Sequence, residues 1–154
     1  MTIDRRLEGD ENVDLQHGLS DKQMYNLFEE LVITKRKQRM IEERLLQALA
    51  KPTQRKWMHE RVQDQYKHER MIEDICKEYL NEEIKIDPFK HNVVMSSSAQ
   101  QELNNRLEAV ASNIQLMSNI SQPIEDFRLY KMISSMLSDE YIYQTRLVKM
   151  LTER

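Results

Sequence analysis

Both glycines of this chain, Gly9 and Gly18, lie in its first 18 residues; from Leu19 to Arg154 there is none. Tight hairpins and close backbone approaches lean on glycine, because it alone enters positive φ without steric cost. A sheet folded without glycine turns is disfavoured, and a Gly-x-Gly-x-x-Gly turn or a P-loop is excluded. The expectation is an all-α body. With 154 residues the chain is long enough for one domain with a real core.

Helical signals then divide the sequence. Ser20 and Gln23 form a capping box, and a stripe of Met24, Leu27, Leu31, Ile41, Leu45 and Ala48 runs to about Ala50. The middle of that stripe is polar, at Thr34, Lys35 and Gln38. Pro52 suits the first turn of a second helix reaching Leu80, whose apolar side is Trp57, Met58, Val62, Ile72, Ile75 and Tyr79. Gln65 and His68 fall on that same side. The turn between these helices is so short that they must be antiparallel neighbours. From Asn81 to Ser97 periodicity fails, and Pro88 interrupts a polar linker whose length suits a crossover along a bundle. The serines at 96–98 supply an N-cap for a third helix, striped by Leu103, Leu107, Val110, Ile114 and Met117 and ending near Asn119. Ser121 and Pro123 suit the start of a fourth, striped by Phe127, Tyr130, Ile133, Leu137, Glu140, Leu147 and Leu151. Its middle is again polar, at Glu140, Tyr143 and Gln144. The expected fold is an antiparallel four-helix bundle over residues 20–154, with a long crossover between helices two and three. Residues 1–19 read as an acidic, flexible tail, five acids against Arg5 and Arg6.

Composition narrows the function classes. A formal charge of −3 with 32% charged residues argues against a dedicated nucleic-acid or anionic-membrane binder. The single cysteine, Cys76, excludes an internal disulfide framework and any Cys-rich zinc or iron–sulfur site, and reads as a small buried hydrophobe. No long apolar run or signal-peptide core is present, so a cytoplasmic protein is the expectation. Arg36 and Arg39 share a face, which is either solvated or a small anion-binding stripe.

One local pattern carries more. Gln65-Tyr66-Lys67-His68 places a histidine three residues after a glutamine, one amide away from Glu-x-x-His. Glu140-Tyr141-Ile142-Tyr143 keeps the glutamate and has tyrosine for histidine. With the helix order, these runs resemble the ferritin-like superfamily, and its small rubrerythrin-type bundles in particular, best over Leu31 to Tyr79 and more weakly around Asp139-Glu140. The resemblance implies a di-iron site built from one Glu on each of two helices and a Glu-x-x-His on each of the other two. Carried over, the first-helix ligand becomes Lys35, the second-helix pair Gln65 and His68, and the fourth-helix pair Glu140 and Tyr143. On the third helix Glu102 and Glu108 only flank the stripe. If a site persisted, its ligands would come from Glu30, brought inward by a one-turn slip, with His68 and Glu140.

The expected function is therefore a non-catalytic bundle acting as a structural or protein-interaction module, with no cofactor. Lys35 would stand in for the metal's charge by pairing with Glu140, amid Gln65, His68 and Tyr143. A homo-oligomer, with a dimer the simplest form, is the expected assembly. The tail, through Leu7 and Leu15, is a possible docking segment for a protein partner, which would make the chain a regulatory adaptor. The alternative is an iron or manganese protein with an altered site, handling peroxide, oxygen or metal.

Overall fold

The computed structural model describes residues 20–86, 93–96, 98–121 and 125–153. The acidic tail expected over 1–19, together with Pro88, Pro123, His17 and His91, lies outside the described residues. Four helices account for most of the rest: α1 (Asp21–Ala48), α2 (Pro52–Leu80), α3 (Ala99–Ser121) and α4 (Phe127–Thr152). Among the described residues there is no strand.

Helix ends follow from local chemistry. The capping box of α1 is formed, with Gln23 N donating to Ser20 Oγ at 3.2 Å and Ser20 N to Gln23 Oε1 at 3.0 Å. No basic residue stands in the last turn of α1; instead Arg55, one turn into α2, donates to the Leu46 and Leu49 carbonyls at 2.8 and 2.9 Å. Pro52 opens α2, and Asn81 closes it at φ 54°, the one positive φ among the described residues. Asparagine tolerates that conformation through its short polar side chain, so glycine is not needed there. Ser98 caps α3 by accepting from Gln101 N at 3.0 Å. The start of α4 differs from expectation. Ser121 ends α3, its hydroxyl donating to Ser118 O at 2.9 Å, and Asp126 is the N-cap, accepting from Arg128 N and Leu129 N while Tyr79 donates a third bond at 2.7 Å. A carboxylate that can serve both the helix N-terminus and a neighbouring helix is the stronger cap.

The helices pack as antiparallel pairs, α1 with α2 and α3 with α4, and the pairs meet through α2 with α4 and α1 with α3. The described parts of the link from α2 to α3 sit at opposite ends. Ile84 and Ile86 pack where α1 begins and α2 ends. Met95 packs where α1 ends and α2 begins, and Val93 O accepts from Arg44 at 2.7 Å. The link thus travels the length of the bundle, and α3 runs parallel to α2.

The core divides in two. One apolar cluster gathers Phe28, Leu31, Ile72, Met117, Ile133 and Met136, and the other Leu45, Met58, Leu103, Val110, Leu147 and Met150. The stripes are rotated slightly from those the apolar residues suggest. On α1 the buried positions are Phe28, Leu31, Val32, Lys35, Gln38, Glu42 and Leu45, while Ala48 is exposed and Ile41 half-buried. On α3 they are Glu102, Leu103, Arg106, Val110, Asn113, Met117 and Ile120, with Leu107 and Ile114 on the flank. On α4 Phe127 and Tyr130 are exposed and Leu129, Met132 and Met136 take the interior. Tyr79 is also exposed, with its hydroxyl on Asp126. A four-three spacing runs through each interior row, with Val32, Val62, Glu69, Glu102 and Ile133 buried beside it, and where that spacing lands on a polar residue at the middle of the bundle the polar residue is buried.

Candidate functional site

Between the two apolar clusters lies a layer of charged and amide side chains. Four antiparallel helices bring the mid-points of all four rows to one level, so the polar residue of each row meets the others there. Lys35 and Gln38 come from α1, Arg61, Gln65 and His68 from α2, Asn113 from α3, and Glu140 and Tyr143 from α4. All eight are buried, as is Glu42 one turn further along α1.

Glu140 is the node. Its Oε2 accepts from Lys35 Nζ at 3.0 Å and from Arg61 Nη1 at 2.5 Å; its Oε1 accepts from Arg61 Nη2 at 3.1 Å and Asn113 Nδ2 at 3.2 Å. One carboxylate on α4 is thereby bonded to each of the other three helices. Arg61 also donates through Nε to Glu42 Oε2 at 3.1 Å, and its guanidinium lies 4.0 Å from the centroid of the Tyr143 ring. Planar, forked and permanently charged, it suits this bridging place better than a lysine would. Gln65 Nε2 donates to Glu42 Oε1 at 3.0 Å and Gln38 Oε1 at 3.3 Å, and Asn113 Nδ2 reaches the same Gln38 oxygen at 3.2 Å. The two cations and two carboxylates balance, which is the condition for holding charge in an interior.

Electrostatics follow the geometry. Burial alone would raise the Glu140 carboxyl; Arg61, then Lys35, overcome it and hold the group well below the usual carboxylate range. Burial lowers the Lys35 ammonium from its ordinary value against the pull of Glu140, and Arg61 lowers it further. Arg61 feels the same burial, but Glu42 and Glu140 raise it above the ordinary arginine value. The Tyr143 phenol is pushed well above its usual value by burial and then by Glu42.

His68 stands at the edge of the layer. Its Nε2 lies 2.7 Å from Asp139 Oδ2, a partly exposed carboxylate on α4. Burial pulls its pKa down to about 4; the bond to Asp139 opposes this, and Lys35 and Arg61 add to it. The imidazole is accordingly neutral at pH 7, with Nε2–H donated to Asp139 and Nδ1 left as an acceptor. His68 Nδ1 and Gln65 Oε1 have no hydrogen-bond partner within the described chain.

The structure thus brings together Lys35, Gln65, Glu140 and Tyr143, with His68 beside them, and does not bring in Glu30, which is exposed on α1. The slip that would turn Glu30 inward is opposed by Leu31 and Val32, buried one and two residues away. Glu102 is buried against expectation, paired at 3.0 Å with Arg106 and accepting from Ser96 N at 2.8 Å; Glu108 is exposed. Arg36 and Arg39 are neither a free solvated face nor an anion stripe, since both donate to Glu69 across the α1–α2 pair, at 3.1 and 2.6 Å. Sequence reasoning missed Glu42, Arg61 and Asn113, and named Asp139 only as the neighbour of Glu140, not as the partner of His68. Continuing the four-three count from Lys35 and Gln38 gives Glu42, and counting back from Gln65 gives Arg61. Among the described residues no group of three or more His, Cys, Asp or Glu is placed to hold a metal ion.

No family model matches the chain, and no curated protein matches it. Among solved structures, the chain is similar to a conserved hypothetical protein, rv2844, from Mycobacterium tuberculosis, with a TM-score of 0.70 at 11% identity, over 88% of this chain and 95% of that one. At that identity the likeness is one of fold: an all-α, four-helix protein.

Proposed function

We propose that this chain is a non-catalytic bundle of the ferritin-like type, a structural or protein-interaction module that associates with itself. Its helix order supports the ferritin-like reading: two antiparallel pairs joined by a link running the length of the bundle. The observation that carries the loss of the metal site is the occupation of Glu140 by both Lys35 and Arg61. A di-iron or di-manganese centre needs several anionic oxygens to offset its charge. Here Glu140 is taken by two cations and Glu42 by one of the same cations. Arg61 does not give up its proton, so an incoming dication would sit against a permanent positive charge. Gln65 is neutral, and His68 has one nitrogen on Asp139. This donor set does not fit the metal pair that the resemblance implies, and the interior charges serve instead to hold four helices in one register.

The test is the metal content of protein purified without chelator, together with its absorption spectrum. Well under one iron or manganese per chain is the expected result. Near-stoichiometric metal that survives dialysis and is lost on His68→Ala would overturn the reading.

A further inference from the structure

The four sides of the bundle are unlike. The α1–α2 side is laced by Arg36, Arg39, Glu43, Tyr66 and Glu69. The α2–α4 side is stapled by His68 to Asp139, Glu60 to Arg146 and Glu78 to Arg128. On the α1–α3 side the described residues 93–96 of the link are tied down, with Val93 held by Arg44 and Ser96 bonded to Glu102 and Asn105. By elimination, the remaining flanks of α3 and α4 lie side by side on the fourth side, and among the described residues it alone is neutral. On α4 this flank shows Tyr130, Tyr141 and Val148 at 48, 52 and 45% exposure, spaced by 11 and 7 residues and so in line. On α3 it shows Asn104 and Ala111, also exposed and also 7 apart. Of the three charged residues of α3, Glu102 and Arg106 are paired in the interior, which leaves Glu108 at the rim of this face.

We infer that the α3–α4 side is the surface on which a second copy of this chain docks. A two-fold axis sets a surface against itself, so charge clusters on it would meet their like, and a neutral face of tyrosine, small polar and aliphatic groups meets no such repulsion. The area is right. Two helices of this length give a face about 35 Å long and about 20 Å wide, on the order of 700 Å², close to the roughly 800 Å² per partner of a stable interface. The rim is complementary as well. Asn113 is level with Glu140, so Glu108, five residues earlier on the antiparallel helix, is level with Thr145 and about one turn from the height of Lys149. A two-fold along the bundle lays α3 of one copy over α4 of the other and brings each Glu108 toward Lys149 of the second copy.

The inference rests on the reading of the chain as a self-associating module, and the two can fail separately. Sedimentation equilibrium of the full chain should give a dimer. Tyr141→Glu should raise its dissociation constant about 30-fold or more, as for a central interface residue, with an unchanged helical circular-dichroism spectrum. Thr145→Glu, at an exposed neighbouring position level with Glu108 of the second copy, should do the same by setting like charges together, and serves if Tyr141→Glu does not fold. Arg70→Glu, on the outer face of α2, should leave the dimer intact. Glu108→Lys should weaken it, and adding Lys149→Glu should restore it. A dimer indifferent to both Tyr141→Glu and Thr145→Glu overturns the assignment of the face and leaves self-association standing. A monomer up to about 100 μM, well above the micromolar range of ordinary interfaces, overturns both.

Discussion

Glu140 holds two cations, and this asymmetry sets what single substitutions do. Lys35→Met leaves Glu140 with Arg61, which still donates two bonds to it. Glu140→Leu leaves the Lys35 ammonium buried without its carboxylate and removes one of the two carboxylates on Arg61. Breaking a buried pair from one side costs about 3–5 kcal/mol. Urea unfolding should therefore place Glu140→Leu in that range and Lys35→Met clearly below it. The double variant should recover only part of the loss, because Arg61, though still balanced by Glu42, loses the two bonds it donates to Glu140. If both single variants sat within about 0.5 kcal/mol of the parent, as exposed changes do, the lysine would be solvated and the pair of no consequence. His68 gives the layer a pH response. Its folded pKa, about 4, lies below the ordinary 6.5, so the unfolded chain takes up a proton that the folded one refuses. Stability therefore rises with pH between about 4 and 6.5. Falling from pH 7 to pH 5 should cost about 2 kcal/mol through this group, and His68→Gln should flatten that part of a stability–pH curve.

At the scale of the element, Asp126 does the work of two connections, capping α4 and accepting from Tyr79 on α2. Asp126→Ala should lower stability by about 1–2 kcal/mol, read as a lower thermal midpoint, and Tyr79→Phe should reproduce a smaller part of that. The helices themselves were legible in the sequence. Capping residues at Ser20 and Ser98, Pro52 in a first turn and the absence of glycine after Gly18 are local signals that tertiary structure had no reason to override. The start of α4 was not legible, because Ser121 and Asp126 are both competent caps and only the neighbouring Tyr79 separates them. The stripes were legible to within one residue, and that residue mattered. Letting Ile41, Leu107 and Ile114 mark the interior hides Glu42, Arg106 and Asn113, which the unbroken four-three spacing buries instead. Hydropathy ranks a lone charged residue as outside; only partners on other helices make it an inside residue, and those partners are non-local. Hence Lys35 and Glu140 could be set opposite one another from sequence, while Arg61 was legible only as a position on the four-three count and not as the partner of Glu140 and Glu42.

For the molecule as a whole, charge is distributed by region. The five acids and two arginines of residues 1–19 equal the formal charge of −3 of the entire chain, so residues 20–154 are neutral overall. That balance suits a body with a neutral side meant for its own kind. No helix among the described residues is long and apolar enough to cross a membrane. The division of the core has a further consequence. Apolar packing is continuous within each cluster, while the layer between them is held by directional bonds that lose their strength once water enters. The bundle should then behave as two cooperative units rather than one. Amide hydrogen exchange should sort the backbone into two sets with separate opening free energies: one spanning the start of α1 with the end of α2, the other the end of α1 with the start of α2. A single opening energy shared by both ends would mean that the charged layer couples them. Two different ones would mean that it works as a firebreak, letting one end of the molecule loosen while the other stays shut.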